Sequence, residues 1–288
     1  MKVFVTGGSG YIGRATIDVL VRRGTEVSAL ARSDDSAQTV AAAGAKPVRG
    51  ELNDTAVLYE AARAAHGVIH LAQHRGPDAG EVDQKAAEAL QDGAGPGPYV
   101  HTGGVWVYGD TCGVVDEDAP MAPPRLTAWR LASERCVLAR AATGERPIVV
   151  RPGLVYGNGG GLVDSFYAEP GRVSGAVPCI GDGSNHWSLV HVDDLAELYA
   201  LALSAPPGSV YLGVADTNPT AGQVAQALSR AIGHPGSVRY LSEAQAQSQM
   251  GPISEAFLLD QQLTGTKARR ELGWQPTHTD PLGELSRP

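Results

Sequence analysis

Three glycines near the start of the chain have the spacing of a phosphate cradle. Residues 6–13 read T-G-G-S-G-Y-I-G, directly after the apolar residues 3–5 and directly before an amphipathic helical pattern. In a strand, glycine turn and helix of this order, Gly7 permits the turn, Gly10 admits the phosphates and Gly13 lets the helix pack close to the strand. The helix start adds unpaired N–H groups and the positive end of its dipole. The segment therefore predicts a pyrophosphate site for a dinucleotide cofactor.

The elements that must position this turn alternate between strand and helix. Short apolar runs predict strands over residues 3–5, 26–30, 46–48, 68–71, 99–102 and 147–150, and periodic patterns predict helices over residues 11–23, 55–65 and 129–142. Strands that are apolar throughout and separated by helices indicate a parallel sheet covered on both faces. The predicted fold class is α/β, a doubly wound parallel sheet of the Rossmann type, which binds ligands at the carboxyl ends of its strands.

The sequence changes character after residue 152. Glycines and prolines become more frequent, and the strict alternation of strand and helix lapses. Helices are predicted over residues 192–203, 224–232 and 267–272, the first of them capped by Asp193 or Asp194. We therefore predict a dinucleotide-binding domain over residues 1–152 and a smaller, mainly substrate-binding region over residues 153–288. The chain can cross back into the sheet from this second region.

Composition narrows the classes of function. The 288 residues are 43% hydrophobic and 19% charged, and the formal net charge of −8 includes no basic stripe for nucleic acid. No apolar run approaches the roughly 20 residues of a membrane span, and no signal-peptide pattern precedes the first strand. Cys112, Cys136 and Cys179 lie too far apart in sequence for a metal or redox motif. We expect a cytoplasmic protein that acts on a small molecule, with no metal and no nucleic-acid or membrane partner.

Six segments together resemble the extended branch of the short-chain dehydrogenase/reductase superfamily, the group of NAD-dependent epimerases and dehydratases. They are T-G-G-S-G-Y-I-G at 6–13, V-Y-G-D at 107–110, R-P-G-L-V-Y-G at 151–157, G-D-G at 181–183, V-H-V-D-D-L-A at 190–196 and E-L-G-W-Q-P at 271–276. The segments occur in the order and approximate spacing of that family, over nearly the whole chain. The resemblance implies a Rossmann fold with a C-terminal substrate domain and a nicotinamide cofactor. It is also compatible with a homodimer built on paired helices.

The resemblance implies a set of cofactor contacts. These are Gly7, Gly10, Tyr11, Ile12, Gly13, Arg32, Ser33, Glu51, Leu52, Leu71, Ala72, Gln73 and Arg130. Arg32 and Ser33 stand where an acidic residue would bind the ribose 2′-hydroxyl of NAD, and an arginine there suits the 2′-phosphate of NADP. Asp34 and Asp35 reduce the local positive charge. On balance, NADP(H) is favoured over NAD(H).

The proton-transfer pair of this family is absent. The family uses a Y-x-x-x-K pair beside a serine or threonine, and no Y-x-x-x-K occurs in this chain. One register places Leu126 and Arg130 at the two positions, and another places Trp129 and Ser133 there. The hydroxyl position falls on a glycine, with Thr102 displaced by one or two residues.

Other side chains must therefore carry the chemistry. The predicted catalytic residues are Thr102 for the substrate oxygen, His74 or Tyr108 for the proton and Arg130 for the cofactor. Arg130 cannot relay a proton, because a guanidinium keeps a pKa above about 12. His74 has the alternative interpretation of an exposed loop histidine. Tyr156 and His186 are further candidates for the proton.

The predicted substrate site is aromatic. Its residues are Trp106, Trp129, Tyr156, His186 and Trp187. If the three tryptophans line one pocket, the substrate is flat or apolar; the alternative is that they pack in the core. Between residues 153 and 238 the only basic side chains of lysine or arginine type are Arg172 and Arg230. Because a diphosphate is usually bound by basic side chains, this scarcity argues against a nucleotide-sugar diphosphate as the substrate.

Three functions remain open on the sequence. The first is an NAD(P)(H)-dependent oxidoreductase that acts on a small carbonyl or alcohol with a non-standard proton donor. The second is a cyclase, isomerase or dehydratase that retains a bound nucleotide without a net redox step. The third is a catalytically silent, NAD(P)-binding regulator, against which the complete family-like C-terminal region weighs.

Overall fold

Seven parallel strands form the central sheet. This computed structural model describes all 288 residues, and the chain forms thirteen strands, of which seven belong to this sheet. The strands are β1 (Lys2–Thr6), β2 (Glu26–Ala31), β3 (Lys46–Arg49), β4 (Gly67–His70), β5 (Pro98–Thr102), β6 (Val114–Val115), β7 (Arg146–Pro152), β8 (Leu154–Tyr156), β9 (Val177–Ile180), β10 (Leu189–His191), β11 (Ser209–Gly213), β12 (Val238–Leu241) and β13 (Gln262–Leu263). The sheet order is β11-β7-β5-β4-β1-β2-β3, and every neighbouring pair is parallel. The predicted doubly wound α/β fold is confirmed.

Helices cover both faces of this sheet. They are α1 (Tyr11–Arg22), α2 (Asp34–Ala42), α3 (Thr55–Arg63), α4 (Ala79–Ala94), α5 (Trp129–Ala139), α6 (Gly161–Val163), α7 (Glu169–Ser174), α8 (Val192–Ala202), α9 (Ala221–Ala231), α10 (Glu243–Met250), α11 (Ser254–Phe257), α12 (Thr266–Leu272) and α13 (Pro281–Leu285). The core on one face lies under α1 and α8, and the core on the other lies under α3, α4 and α5. None of the helices combines the length and apolarity that a membrane span requires.

Two helix starts differ from the sequence-based expectation. Helix α2 begins where only a turn was expected, because Ser33 and Ser36 form a reciprocal capping box. Helix α8 begins directly after His191, whose ring nitrogen accepts the backbone N–H of Asp193. The predicted caps, Asp193 and Asp194, are therefore wrong. Both lie inside the first turn, where their charge is favourable for the helix dipole.

The chain after residue 153 contributes to two layers. Strand β11 joins the central sheet as an edge strand beside β7. The remaining strands form three short parallel pairs, β8 with β10, β9 with β12, and β6 with β13. A separate apolar core, which includes Tyr167, Trp187 and Phe257, holds the β8–β10 and β9–β12 pairs together with α9, and the β6–β13 pair belongs to another core cluster. This smaller layer supplies the aromatic residues discussed below.

Candidate functional site

The glycine turn after β1 has the geometry of a phosphate cradle. Gly7 has φ +74°, a conformation that L side chains rarely adopt. A Cβ on Gly13 would lie 2.1 Å from the carbonyl oxygen of Gly7, and a Cβ on Gly7 would lie 2.7 Å from the backbone N of Ala72. Helix α1 follows with Gly10 at its cap position and no side chain bonded to its first N–H groups. The turn therefore leaves the helix start open for an anion.

The predicted adenosine contacts lie at the ends of β2 and β3. Arg32 is exposed directly after β2 and forms no ion pair in the structure. The carboxylate of Asp34 lies 3.0 Å from the guanidinium of Arg49, the last residue of β3. Of the two acidic residues expected to reduce the charge at Arg32, Asp34 is thus paired with Arg49, whereas Asp35 forms no ion pair. Glu51 is exposed and Leu52 is half-buried on the turn after β3.

Arg130 occupies the first turn of α5 and has few partners. Its guanidinium donates one hydrogen bond of 3.3 Å to the carbonyl oxygen of Thr102, at the end of β5. The same group lies 4.6 Å from the centre of the Trp129 ring. No carboxylate lies within ion-pair distance of it, although the side chain is partly buried. Most of its five N–H donors are therefore available to a ligand.

Thr102 and Tyr108 differ in what their hydroxyls contact. The hydroxyl of Thr102 lies 2.9 Å from that of Tyr199, a buried residue of α8, and Thr102 remains partly exposed. Tyr108 is enclosed: its hydroxyl donates to the carbonyl of Glu117 at 3.1 Å and accepts from Arg151 at 2.5 Å. Burial raises the pKa of Tyr108 to about 12. The prediction of Tyr108 as the proton donor is wrong, because this hydroxyl is buried and already partnered.

His74 lies on the loop that follows β4. Its Nε2 is 3.0 Å from a carboxylate oxygen of Asp78, and 38% of its side chain is exposed. Helix α4, which follows this loop, reaches the start of α5, since a Cβ on Gly80 would lie 3.3 Å from the Cβ of Trp129. The structure therefore places an imidazole, oriented by a carboxylate, on the loop between β4 and α4, and the first turn of α4 packs beside Trp129.

The three tryptophans do not share one pocket. Trp106 and Trp187 both contact Phe257, the first ring edge-on at 6.0 Å and the second through an indole N–H that donates to the Phe257 carbonyl at 3.0 Å. Together these residues line a small cavity of the second region. Trp129 lies elsewhere, under the guanidinium of Arg130. Trp187 packs in the core of the second region, with Trp106 partly exposed at its edge, so a role of these two tryptophans in substrate binding stays a prediction.

Tyr156 and His186 have different surroundings. Tyr156 is buried, with its hydroxyl donating to the carbonyl of His278 at 3.4 Å and its ring edge-on to His191. Its assignment as a substrate residue is therefore wrong. His186 is partly exposed, and its Nδ1 lies 2.8 Å from a carboxylate oxygen of Asp260. It remains accessible in the second region.

A buried polar cluster beside this site was not predicted from the sequence. Thr6, His70, Asp83, His101 and Ser133 are all nearly inaccessible to solvent. Burial opposes ionisation of Asp83, but hydrogen bonds from His70 and Ser133 hold the pKa of its carboxyl well below the usual range. His70, Asp83 and His101 also bring three ligand atoms of the kind that bind metals close together. In the sequence, the cluster is indicated by the histidine that ends each of two apolar strands, in V-I-H at 68–70 and in Y-V-H at 99–101.

A glycine turn with an open helix start, at the carboxyl ends of a doubly wound sheet, defines a dinucleotide-binding protein of the Rossmann class. The sequence profile of the NAD dependent epimerase/dehydratase family matches residues 3–212. The chain belongs to this family, and thereby to the extended short-chain dehydrogenase/reductase superfamily.

Three similar proteins illustrate the range of this family. The chain is 30% identical to the uncharacterized protein YLL056C of Saccharomyces cerevisiae, over 99% of this chain and 98% of that protein. It is 27% identical to a 4-hydroxy-2-methyl-3-oxo-4-farnesyl-3,4-dihydroquinoline-1-oxide ketoreductase of Stigmatella aurantiaca, over 99% and 96% of the two chains. The fold matches the dTDP-glucose 4,6-dehydratase of Bacillus anthracis, solved in complex with NAD, with a TM-score of 0.82, 19% identity and coverage of 99% and 94%.

Proposed function

We propose that this protein is an NADPH-dependent reductase of a small carbonyl compound, with His74 as its proton donor. The observation that carries the proposal is the Arg130 guanidinium, which is partly buried at the end of β5 and has no carboxylate partner. Strand β5 lies two positions from β1, which leads into the glycine turn. Neighbouring strands are about 4.8 Å apart, so the two sites are about 10 Å apart, within reach of one dinucleotide.

The residues at both sites fit such a cofactor. The space that a Cβ on Gly7 or Gly13 would occupy already meets backbone atoms, so the turn is closely packed and offers backbone rather than side chains to a phosphate. Arg32 is exposed and forms no ion pair, and Asp34, one of its two acidic neighbours, is paired with Arg49, so the guanidinium can meet a 2′-phosphate. This arrangement supports NADPH over NADH. When bound, the reduced nicotinamide supplies the hydride that reaches the carbonyl carbon of the substrate.

The side chains of the protein then bind, orient and supply a proton. Arg130 donates hydrogen bonds to ribose oxygens on the nicotinamide side. His74 donates a proton to the carbonyl oxygen of the substrate, and it recovers a proton from solvent, to which its side chain is exposed. Asp78 fixes the orientation of the ring. Placing carbonyl and cofactor in contact is itself a large part of the rate enhancement.

The substrate class follows from the second region. The indole of Trp106 is partly exposed at the edge of its aromatic cluster, and lysine and arginine are scarce between residues 153 and 238. An apolar ketone or aldehyde suits this surface better than a sugar diphosphate does. The similarity to a ketoreductase over nearly the full length of both chains supports the same substrate class.

The test is NADPH oxidation with a panel of apolar ketones and aldehydes. We expect His74→Gln to lower kcat about 100-fold and to flatten the pH–rate profile, with the Kd for NADPH unchanged. Asp78→Asn should lower kcat less, because it removes only the orienting group. His234→Gln, at an exposed histidine outside the site, is the matched control. Unchanged turnover and pH dependence in His74→Gln would overturn the assignment of the proton donor.

The missing tyrosine and lysine favour one alternative, a non-redox isomerisation or dehydration with a retained nucleotide. In that case substrate is converted while the absorbance of the reduced nicotinamide shows no net change. NADPH consumption in step with product formation excludes this alternative.

A further inference from the structure

Three neighbouring strands of the sheet end in polar side chains that are buried. Thr6, His70 and His101 lie in adjacent register positions on β1, β4 and β5. Their exposed fractions are 0%, 1% and 1%, and Asp83 of α4, which faces them, is 5% exposed. Polar groups in such surroundings are costly unless their hydrogen bonds are directed to specific partners. The partners therefore indicate what the cluster holds in place.

Asp83 is the centre of this cluster. One carboxylate oxygen lies 3.4 Å from Nε2 of His70, and the other lies 3.7 Å from Nε2 of His101. The hydroxyl of Ser133, on α5, donates to the second oxygen at 2.5 Å. No lysine or arginine pairs with Asp83. The carboxylate thus accepts a hydrogen bond from Ser133 of α5 and faces the rings of His70 on β4 and His101 on β5, and through these contacts it links the three elements.

One arm of the cluster leads to the glycine turn. Nδ1 of His70 lies 2.6 Å from the hydroxyl of Thr6, and that hydroxyl accepts the backbone N–H of Ala72 at 3.2 Å. The backbone of Ala72 lies directly against Gly7. A continuous chain of polar contacts therefore runs from Asp83 to the segment that follows β4.

The other arm leads to Arg130. Ser133 follows Arg130 by three residues, which is about one turn of α5. The guanidinium bonds to the carbonyl of Thr102, the residue next to His101 on β5. The carboxyl end of β5 is thus linked to the first turns of α5 at two adjacent residues, through the Thr102 carbonyl and, by way of Asp83, through the His101 ring. Burial lowers the pKa of the Arg130 guanidinium, and the negative charge of Asp83 opposes this shift.

We propose that Asp83 is a positioning residue for the nicotinamide half of the cofactor: it holds the Ala72 segment and Arg130 at the separation that this half requires. The proposal rests on the proposed function, in which Arg130 binds the nicotinamide-side ribose, and on the prediction of Ala72 as a cofactor contact. Each carboxylate oxygen is directed to a different element, so removal of the charge loosens both arms at once. Such directional contacts are strong in a low-dielectric interior. The adenosine site at the ends of β2 and β3 contacts neither arm.

The test measures the two halves of the cofactor separately. We expect Asp83→Asn to raise the Kd for NADPH about tenfold, a change of about 1.4 kcal/mol, and to leave the Kd for 2′,5′-ADP within about twofold. Titration calorimetry gives both values. Glu88→Gln, at an exposed position of the same helix, is the control and should change neither Kd. Equal weakening of both ligands, or no weakening of NADPH, would overturn the positioning role.

A second pair of variants keeps the test decisive if Asp83→Asn does not fold. Thr6→Val removes the hydroxyl that joins His70 to Ala72 while it retains the side-chain shape, and Thr6→Ser keeps the hydroxyl. We expect Thr6→Val to bind NADPH more weakly while its Kd for 2′,5′-ADP stays unchanged, and we expect Thr6→Ser to bind both ligands like the wild type. Identical affinities in the two variants refute the proposal. A wild-type protein that binds neither NADPH nor 2′,5′-ADP refutes the proposed function as well.

Discussion

The free energy of unfolding should depend on pH through His101. Burial lowers the pKa of His101 from its ordinary value of 6.5 to about 4; the nearby charge of Asp83 opposes this shift, and His70 and Arg130 reinforce it. The unfolded chain therefore binds a proton at His101 below about pH 6.5, and the folded protein does not until about pH 4. Because the unfolded state binds more protons in this window, stability falls as the pH falls through it.

The magnitude follows from the two pKa values. Each pKa unit corresponds to about 1.4 kcal/mol. His101 therefore lowers the free energy of unfolding by about 2 kcal/mol at about pH 5 and by about 3 kcal/mol at about pH 4. At about pH 7.5 the cost is close to zero. Such a loss is a substantial part of the total stability of a typical domain, which is about 5–15 kcal/mol.

Urea unfolding followed by tryptophan fluorescence measures this difference. The perturbation is His101→Gln, which retains a polar side chain but does not titrate. Between about pH 7.5 and about pH 5, we expect the wild type to lose about 2 kcal/mol more stability than this variant loses. His234→Gln, at an exposed position, should behave like the wild type. Equal losses in the wild type and in His101→Gln would show that His101 is not held neutral by burial, and the reasoning would fail.

Three further predictions concern the cofactor site and the core. Gly13→Ala should abolish NADPH binding, measured by calorimetry, because the added Cβ would lie 2.1 Å from the carbonyl oxygen of Gly7. Arg32→Ala should raise the KM for NADPH about tenfold and leave the KM for NADH unchanged, measured in steady-state assays, because only NADPH carries the 2′-phosphate. Arg151→Met should cost about 3–5 kcal/mol in urea unfolding, because it leaves the carboxylate of Glu134 buried without its partner.

Each of these predictions has an outcome that contradicts it. Wild-type affinity in Gly13→Ala would mean that the turn does not carry the phosphates. A parallel rise of both KM values in Arg32→Ala would show a loss of fold or of general binding rather than of phosphate recognition. For the buried pair, the double variant Glu134→Gln/Arg151→Met should recover part of the lost stability. A double variant as unstable as the sum of the two single variants would exclude this coupling.

The helix starts show where sequence reasoning about the fold succeeded and failed. The starts of α1 and α3 follow glycine and aspartate signals that act within a few residues, and they were predicted correctly. Helix α2 was missed because R-S-D-D-S was interpreted as a turn, although Ser33 with acidic residues in the first turn is also typical of a helix start. Strand β11 could not be placed, because only its partner β7 makes it part of the sheet.

The glycine turn is what the sequence by itself determined about this protein. Its requirements, a positive φ at Gly7 and close packing at Gly13, are local, and they are legible in eight consecutive residues. The fold class could also be predicted from the sequence, because the propensity of each segment and the order of strands and helices can be read from consecutive residues.

Tertiary structure alone decided which polar side chains are available for chemistry. Tyr108 and His74 both follow strands in sequence, yet the first is enclosed by Arg151 and the second remains accessible. His70 and Asp83 belong to different elements, and they meet only because β4 and α4 pack together. Burial and hydrogen-bond partners depend on contacts between distant segments, and no spacing within one segment encodes them.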